Sequence, residues 1–226
     1  ENDTHQEYDT TEIRLSSKAG NKLNWIIGAF ETENVNDYDS QWHVPTINPD
    51  AAVPESDDLY FQTDQIRVDK ESAIFGEVYY QLNDKIEITL GHRSFDNETS
   101  LKGFAGTVWW PNYILYSTTR EDNVNSLFDG SDSTSKFNLS YQIDNNSMIY
   151  ITRSEGYRPG GANRAPQLGS TYDADFLTNT EFGFKSISMN GRLRLNGAMY
   201  QMDWDDIQLG WFNPDISLLG LVDNIG

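Results

Sequence analysis

Cysteine is absent from all 226 residues, so neither disulfides nor thiolate metal sites can contribute. Long apolar runs are absent too, and no window approaches the roughly 18 apolar residues of a membrane-spanning helix. That excludes helical insertion only. A transmembrane barrel strand is about 9–11 residues long with every second residue polar, so averaged hydropathy passes over it. Positive charge is scarce: 16 Lys and Arg stand against 35 Asp and Glu, a formal net charge of −19. Nucleic-acid partners, which need basic patches, are therefore not expected. His5, His43 and His92 are too scattered for a metal motif. Asp129-Gly130-Ser131-Asp132 lacks the twelve-residue spacing and closing glutamate of a calcium loop. No Ser–His–acid arrangement stands out, and paired carboxylates are too common here to carry weight. We expect no catalytic residues, no metal and no cofactor.

What the chain does have is alternation. Thr11-Glu12-Ile13-Arg14-Leu15-Ser16-Ser17 alternates polar and apolar residues, a strand signal. Lys22 to about Glu33 forms a second strand around Trp25, Ile27 and Phe30. From Glu31 to Asp69 there are ten carboxylates, one arginine and three prolines; we read this segment as a long connection outside any core. Strand patterns resume over Glu71–Leu82, from Ile86 to Arg93, and from Lys136 to Ile143. Asp96 to about Ser131 reads as a second long connection, with Trp109-Trp110-Pro111 in its middle. Met148–Glu155 and Phe176–Met189 read as strands around a Gly- and Pro-rich loop, and Asn190-Gly191 predicts a hairpin of type I′ character. Arg192 to about Trp204 returns, Asp205 to Leu218 reads as loop, and the last residues read as a strand beginning.

The connections sort into two kinds. Those near Gly20, Asp84, Asn145 and Asn190 are short; those between them are long, acidic, aromatic and proline-bearing. All seven prolines lie in or at the edges of the long connections, as an unbroken ladder requires. Short turns at one end and long loops at the other are the rule for outer-membrane barrels, whereas a β-sandwich mixes loop lengths at both ends. The expected fold is all-β, an antiparallel up-and-down transmembrane β-barrel, partial, with about eight strands of a larger barrel. Ile86, Ile88, Leu90, Phe137, Leu139, Tyr141, Phe182, Phe184, Leu193 and Leu195 should share the lipid face. Glu77, Glu87, Arg93, Asn138, Gln142, Arg153, Glu181, Lys185 and Arg194 should share the other. Trp204, at a strand end, suits the interfacial aromatic girdle.

The stretch from Met148 to Lys185 carries more. Tyr150, Ser154, Gly156, Tyr157, Arg158, Pro159, Gly160, Gly161 and Asn163, followed by Glu181, Phe182, Gly183 and Lys185, resemble a strand–loop–strand of the TonB-dependent outer-membrane receptors. The likeness extends over nearly the whole chain. The hairpin of Glu12–Ser17 with Trp25–Phe30, the pair Phe75–Leu82 with Leu90–Arg93, the run Trp204-Asp205-Asp206-Ile207-Gln208 and the closing Asn224-Ile225-Gly226 resemble family motifs in family order. The resemblance implies that residues 1–226 are part of one receptor barrel domain. The plug domain and the C-terminal strands are absent, and Asn224–Gly226 opens a ninth strand of the about 22 such transporters have. It further implies an active-transport receptor of the Gram-negative outer membrane, importing a ferric siderophore or similar scarce nutrient. Its partners would be the TonB complex, reached through the missing plug, and the outer-membrane lipid; it would not be an enzyme. The alternatives are a soluble β-sandwich carbohydrate-binding module, with sugar stacked on Trp109 and Trp110, and a non-energised outer-membrane porin.

Only the long connections have room for a ligand site, and binding residues concentrate on loops held by rigid scaffolds. Trp109, Trp110, Tyr157, Arg158, Asn163 and Trp211 are the candidate ligand-binding residues. Tyr157 and Arg158 sit at a strand end among glycines, where a guanidinium can hold an anionic chelate bidentately. The surrounding acid would repel such a ligand unless Arg158 and Arg164 locally outweigh it.

Overall fold

The computed structural model describes residues 2–48, 58–106, 122–164, 171–213 and 220–226. Ten long or medium strands and two two-residue bridges follow in chain order: β1 Asn2–Ser16, β2 Leu23–His43, β3 Leu59–Asn83, β4 Ile86–Gly106, β5 Val124–Asp144, β6 Ser147–Arg158, β7 Gly161–Ala162, β8 Thr171–Tyr172, β9 Asp175–Ser188, β10 Leu193–Asp205, β11 Ile207–Trp211 and β12 Leu221–Ile225. Eight form one antiparallel sheet in the order β1-β2-β3-β4-β5-β6-β9-β10, without a crossover. A sandwich would need strands to change sheets, and these do not. β7 pairs β8 inside the β6–β9 connection, and β11 pairs β12.

Register decides which side chains share a face. One row runs Leu23–Tyr80–Ile88–Leu139–Ile151–Phe182–Met199 across seven strands. The row beside it runs Asn24–Tyr79–Thr89–Asn138–Thr152–Glu181–Tyr200 on the opposite face. Leu139, Phe182, Phe184, Ile151 and Leu195 are exposed, so the apolar face is uncovered by protein and suits lipid. The ten residues assigned to that face all fall on it. The polar set falls on the other face with one exception. Arg153 pairs with Phe137 and Thr180, which puts it on the apolar face, at the row beyond Ile151. Trp204 pairs with Leu177, on the polar face with Glu181 and Tyr200, so it is not a lipid-facing girdle residue.

The strands overrun the expected boundaries, always at the long-connection end. Much of the acidic segment is strand rather than loop: β2 continues to His43 and β3 begins at Leu59. β4 likewise continues to Gly106, and β5 begins at Val124. Away from the apolar belt both faces carry polar residues, so alternation fades although the ladder continues. Cross-strand pairs support it there, including Gln6 Nε2 to Asn34 Oδ1 at 2.8 Å and Lys70 Nζ to Glu33 at 2.8 Å. Most buried residues also lie in this extension, among them Phe61, Thr63, Gln65, Phe95 and Leu101. Leu101, Val124 and Ala162 make a small core where β7 folds against β4 and β5. At the opposite end, Asn190 and Gly191 both have positive φ (54° and 84°), as a type I′ turn requires. Met189 is also left-handed (φ 54°), making the connection a four-residue double turn.

Candidate functional site

At the long-connection end, the Gly- and Pro-rich loop after β6 folds back over the polar face and is fastened there. Arg158 is the main fastening. Its Nε donates to both oxygens of Asp175 at 3.0 Å, its Nη2 pairs with Asp175 Oδ2, and Nη2 also donates to the Gln208 carbonyl at 3.0 Å. The guanidinium stacks 4.8 Å over Trp204. Asp175 is 1 % exposed and also accepts the Gln208 backbone N–H at 3.0 Å. Burial pushes its carboxyl up, but hydrogen bonds from Arg158 and Gln208 outweigh this and hold it below the ordinary range.

Gln208 and Asn224 extend the fastening. Gln208 Nε2 donates to the carbonyls of Pro159 and Asp173, each at 2.9 Å. Asn224 accepts the Asp173 N–H at 2.8 Å and donates to the carbonyls of Asp173 (3.0 Å) and Asp206 (2.8 Å). A Cβ at Gly226 would stand 2.7 Å from Asp206 Oδ1, so a larger residue would make that side chain shift. Asn163 joins the same knot by a two-way pair with Val222. The Arg158–Asn163, Asp206–Gln208 and Asn224–Gly226 motifs, far apart in sequence, are therefore one hydrogen-bonded structure. β12 pairs antiparallel with β11, which follows β10 after the single residue Asp206.

Tyr157 lies beside the knot. Its ring stacks on Phe95, with centroids 3.8 Å apart and planes 9° apart, and its hydroxyl donates to Glu71 Oε2 at 2.7 Å. Burial, then the Glu71 carboxylate, push the phenol well above its ordinary range. By alternation Tyr157 belongs with Ile151, on the other face from Phe95. It reaches Phe95 because β6 leaves β5 after the Ser154–Lys136 pair, while β5 stays paired with β4 up to Val124. Glu71 also binds Arg93, whose guanidinium lies 5.2 Å over Phe30.

Arg164 ends the described part of the loop. Its Nε donates to Gln65 Oε1 at 3.0 Å, its Nη2 to Thr63 Oγ1 at 3.4 Å, and its carbonyl accepts Gln65 Nε2 at 3.1 Å. Its guanidinium sits 4.5 Å over the Tyr38 ring. Burial lowers its pKa. Nearby, Arg67 is held by Asp69 through Nε at 2.8–2.9 Å.

Four of the six candidate residues thus have described positions. Tyr157, Arg158 and Asn163 share one region, each with intramolecular partners; Trp211 closes β11 against Leu221. Trp109 and Trp110 lie outside the described residues. Reasoning from sequence missed Gln65, Thr63 and Tyr38 because they sit in the acidic stretch read as loop. Gln208 and Asn224 were visible as motifs, but nothing in the linear pattern shows what they hold. Among the described residues no group of three or more His, Asp or Glu side chains is placed to hold a metal.

The sheet order, the apolar belt and the fastened loops at one end are those of a partial outer-membrane barrel. The family model described as TonB dependent receptor-like, beta-barrel, matches residues 1–215. The chain belongs to the TonB-dependent receptor family. Solved receptors share the fold at low identity. The ferric yersiniabactin uptake receptor FyuA from Yersinia pestis superposes with TM-score 0.77 at 15 % identity, covering 98 % of this chain and 30 % of that one. The ferric-catecholate import receptor Fiu from E. coli K12 gives 0.66 at 16 %, over 92 % and 32 %. The copper transporter OprC gives 0.63 at 11 %, over 98 % and 33 %. The chain spans about a third of each of these receptors. As a TonB-dependent receptor barrel it resides in the Gram-negative outer membrane, its apolar face toward lipid.

Proposed function

We propose that this chain forms part of the barrel wall of an active importer, energised through TonB by way of a plug outside these residues. The transported solute is a ferric siderophore or a similarly scarce metal chelate. The observation that carries this reading is the family match over residues 1–215, supported by the fold shared with receptors for ferric chelates. Solute binds at the long-connection end, where β2 to β5 extend beyond the apolar belt and the loop after β6 folds over the polar face. Trp109, Trp110, Tyr157, Arg158, Asn163 and Trp211 remain the proposed contacts. Of these, Arg158 and Asn163 act through the loop they fasten, since their polar groups already hold Asp175, Gln208 and Val222. Nothing in the mechanism requires bond-making chemistry: binding at the outer end, then force on the plug, opens a path.

The test is iron-limited growth of cells whose only chelate receptor is the full-length protein, with and without TonB. Growth that depends on both supports the proposal. Growth that needs the receptor but not TonB would make it a porin.

A further inference from the structure

Arg164 is out of balance with the rest of the molecule. Carboxylates outnumber Lys and Arg by more than two to one, 35 to 16, and the other half-buried arginines of this end have one: Arg67 holds Asp69 and Arg93 holds Glu71. No carboxylate reaches Arg164 among the described residues. Its partners are neutral: the Gln65 amide, the Thr63 hydroxyl and the face of Tyr38. The charged side chain that acts on it is a second cation, Arg67. Gln65 and Thr63 are 0 % and 1 % exposed, so the guanidinium is set against a rigid floor rather than swinging in solvent. Nη1 has no protein acceptor among the described residues, although a guanidinium offers five donors in a fixed fork. A half-buried charge without a counter-ion is costly, and its structure persists here because Tyr38 and Gln65 position it.

Position adds to this. Tyr38 and Gln65 pair directly across β2 and β3, and the next residue in their row on β4 is Gly103, which has no side chain. The row lies on the polar face, in the strand extension beyond the apolar belt. It is the same face over which the loop after β6 folds.

We infer that Arg164, seated on Tyr38 and Gln65 and backed by Arg67, is where this wall grips an anionic oxygen pair of the transported solute, such as a carboxylate or catecholate of a metal chelate. The inference deepens the importer proposal and rests on it. It also moves the anion contact from Arg158, which Asp175 already neutralises, to a cation that no acid among the described residues satisfies. Planar, bidentate oxygen acceptors suit the donor fork of a guanidinium better than an ammonium.

The experiment uses the full-length receptor in outer membranes, with two radio-iron probes: a trianionic ferric tris-catecholate and a neutral ferric trihydroxamate. Wild type should take up the tris-catecholate. Arg164→Gln should weaken its binding about tenfold or more, the scale of a lost charged hydrogen bond. Arg164→Lys should give an intermediate loss, at unchanged receptor abundance. If Arg164→Gln fails to accumulate, the wild-type preference and its weakening by salt decide. Uptake of the neutral probe alone leaves the importer standing and overturns the anion site. Undiminished tris-catecholate binding by Arg164→Gln overturns it as well. Lost abundance in Arg164→Gln with salt-independent wild-type binding would show that the rest of the receptor supplies the counter-ion, and also overturns it. Uptake of neither probe removes both proposals.

Discussion

Asn163 and Val222, 59 residues apart, exchange two hydrogen bonds: Asn163 Nδ2 donates to the Val222 carbonyl at 3.0 Å, and Asn163 Oδ1 accepts the Val222 N–H at 2.8 Å. The amide thereby stands in for one strand pair and ties the loop after β6 to β12. Asn163 is 6 % exposed, so nothing from solvent readily replaces it. Asn163→Ala should loosen this tie by about 1–3 kcal/mol, the cost of leaving a buried backbone pair unsatisfied. Hydrogen exchange at Val222 and Thr171–Tyr172 should accelerate while exchange in β9 and β10 stays unchanged. Equal protection in the variant would show that the backbone holds the loop without the side chain.

The two faces give a second prediction. Leu139 is exposed in the seven-strand apolar row, and Asn138 stands one residue away on the polar face, donating to Thr152 Oγ1 at 2.6 Å. Leu139→Arg should cost about 2–4 kcal/mol in bilayer-folded receptor, the price of an arginine near mid-membrane on the lipid side. Asn138→Arg should cost clearly less. Equal losses by denaturant titration in liposomes would contradict the register.

Gly103 supplies a third. Its φ is 134°, and a Cβ built there collides with the Asp64 carbonyl. Gly103→Ala must therefore both adopt a conformation disfavoured for L residues and displace backbone, costing at least about 1–3 kcal/mol. Gly156 is the control: a Cβ there meets nothing within 4 Å. Gly156→Ala should fold and accumulate as wild type, and Gly103→Ala should be depleted from the outer membrane.

Asp175 predicts a pH dependence. Its folded pKa lies below the ordinary carboxylate value, chiefly because Arg158 overcomes the opposing effect of burial. A group of this kind stabilises the folded state above its unfolded pKa, about 3.9, and loses that contribution as pH falls through the lower folded value. The loop after β6 should stay fastened at neutral pH and open below about pH 4. Pepsin nicking of this loop in reconstituted receptor should rise steeply over that interval. Asp175→Asn should already be open at neutral pH, with a flatter profile.

Alternation, turn chemistry and proline placement were enough to read an antiparallel sheet with short turns at one end and long connections at the other. They worked where one face meets lipid, because there the burial requirement writes a period of two into residues such as Ile86, Ile88 and Leu90. Beyond the belt both faces meet water or other protein, and the period disappears although β2 and β3 run on to His43 and from Leu59. The ladder itself needs no side-chain signature, so only pairing reveals those extensions.

The candidate site divides the same way. That Tyr157, Arg158 and Asn163 lie at the long-connection end follows from the glycines and prolines around them. What Arg158 and Arg164 each touch does not, because their partners lie from 17 residues away (Asp175) to more than 100 (Thr63 at 101, Tyr38 farther still). Sequence sees two arginines in one loop. The tertiary structure separates them: it brings Asp175 to Arg158 and, among the described residues, the neutral Gln65, Thr63 and Tyr38 to Arg164, because charge compensation is set by distance in space.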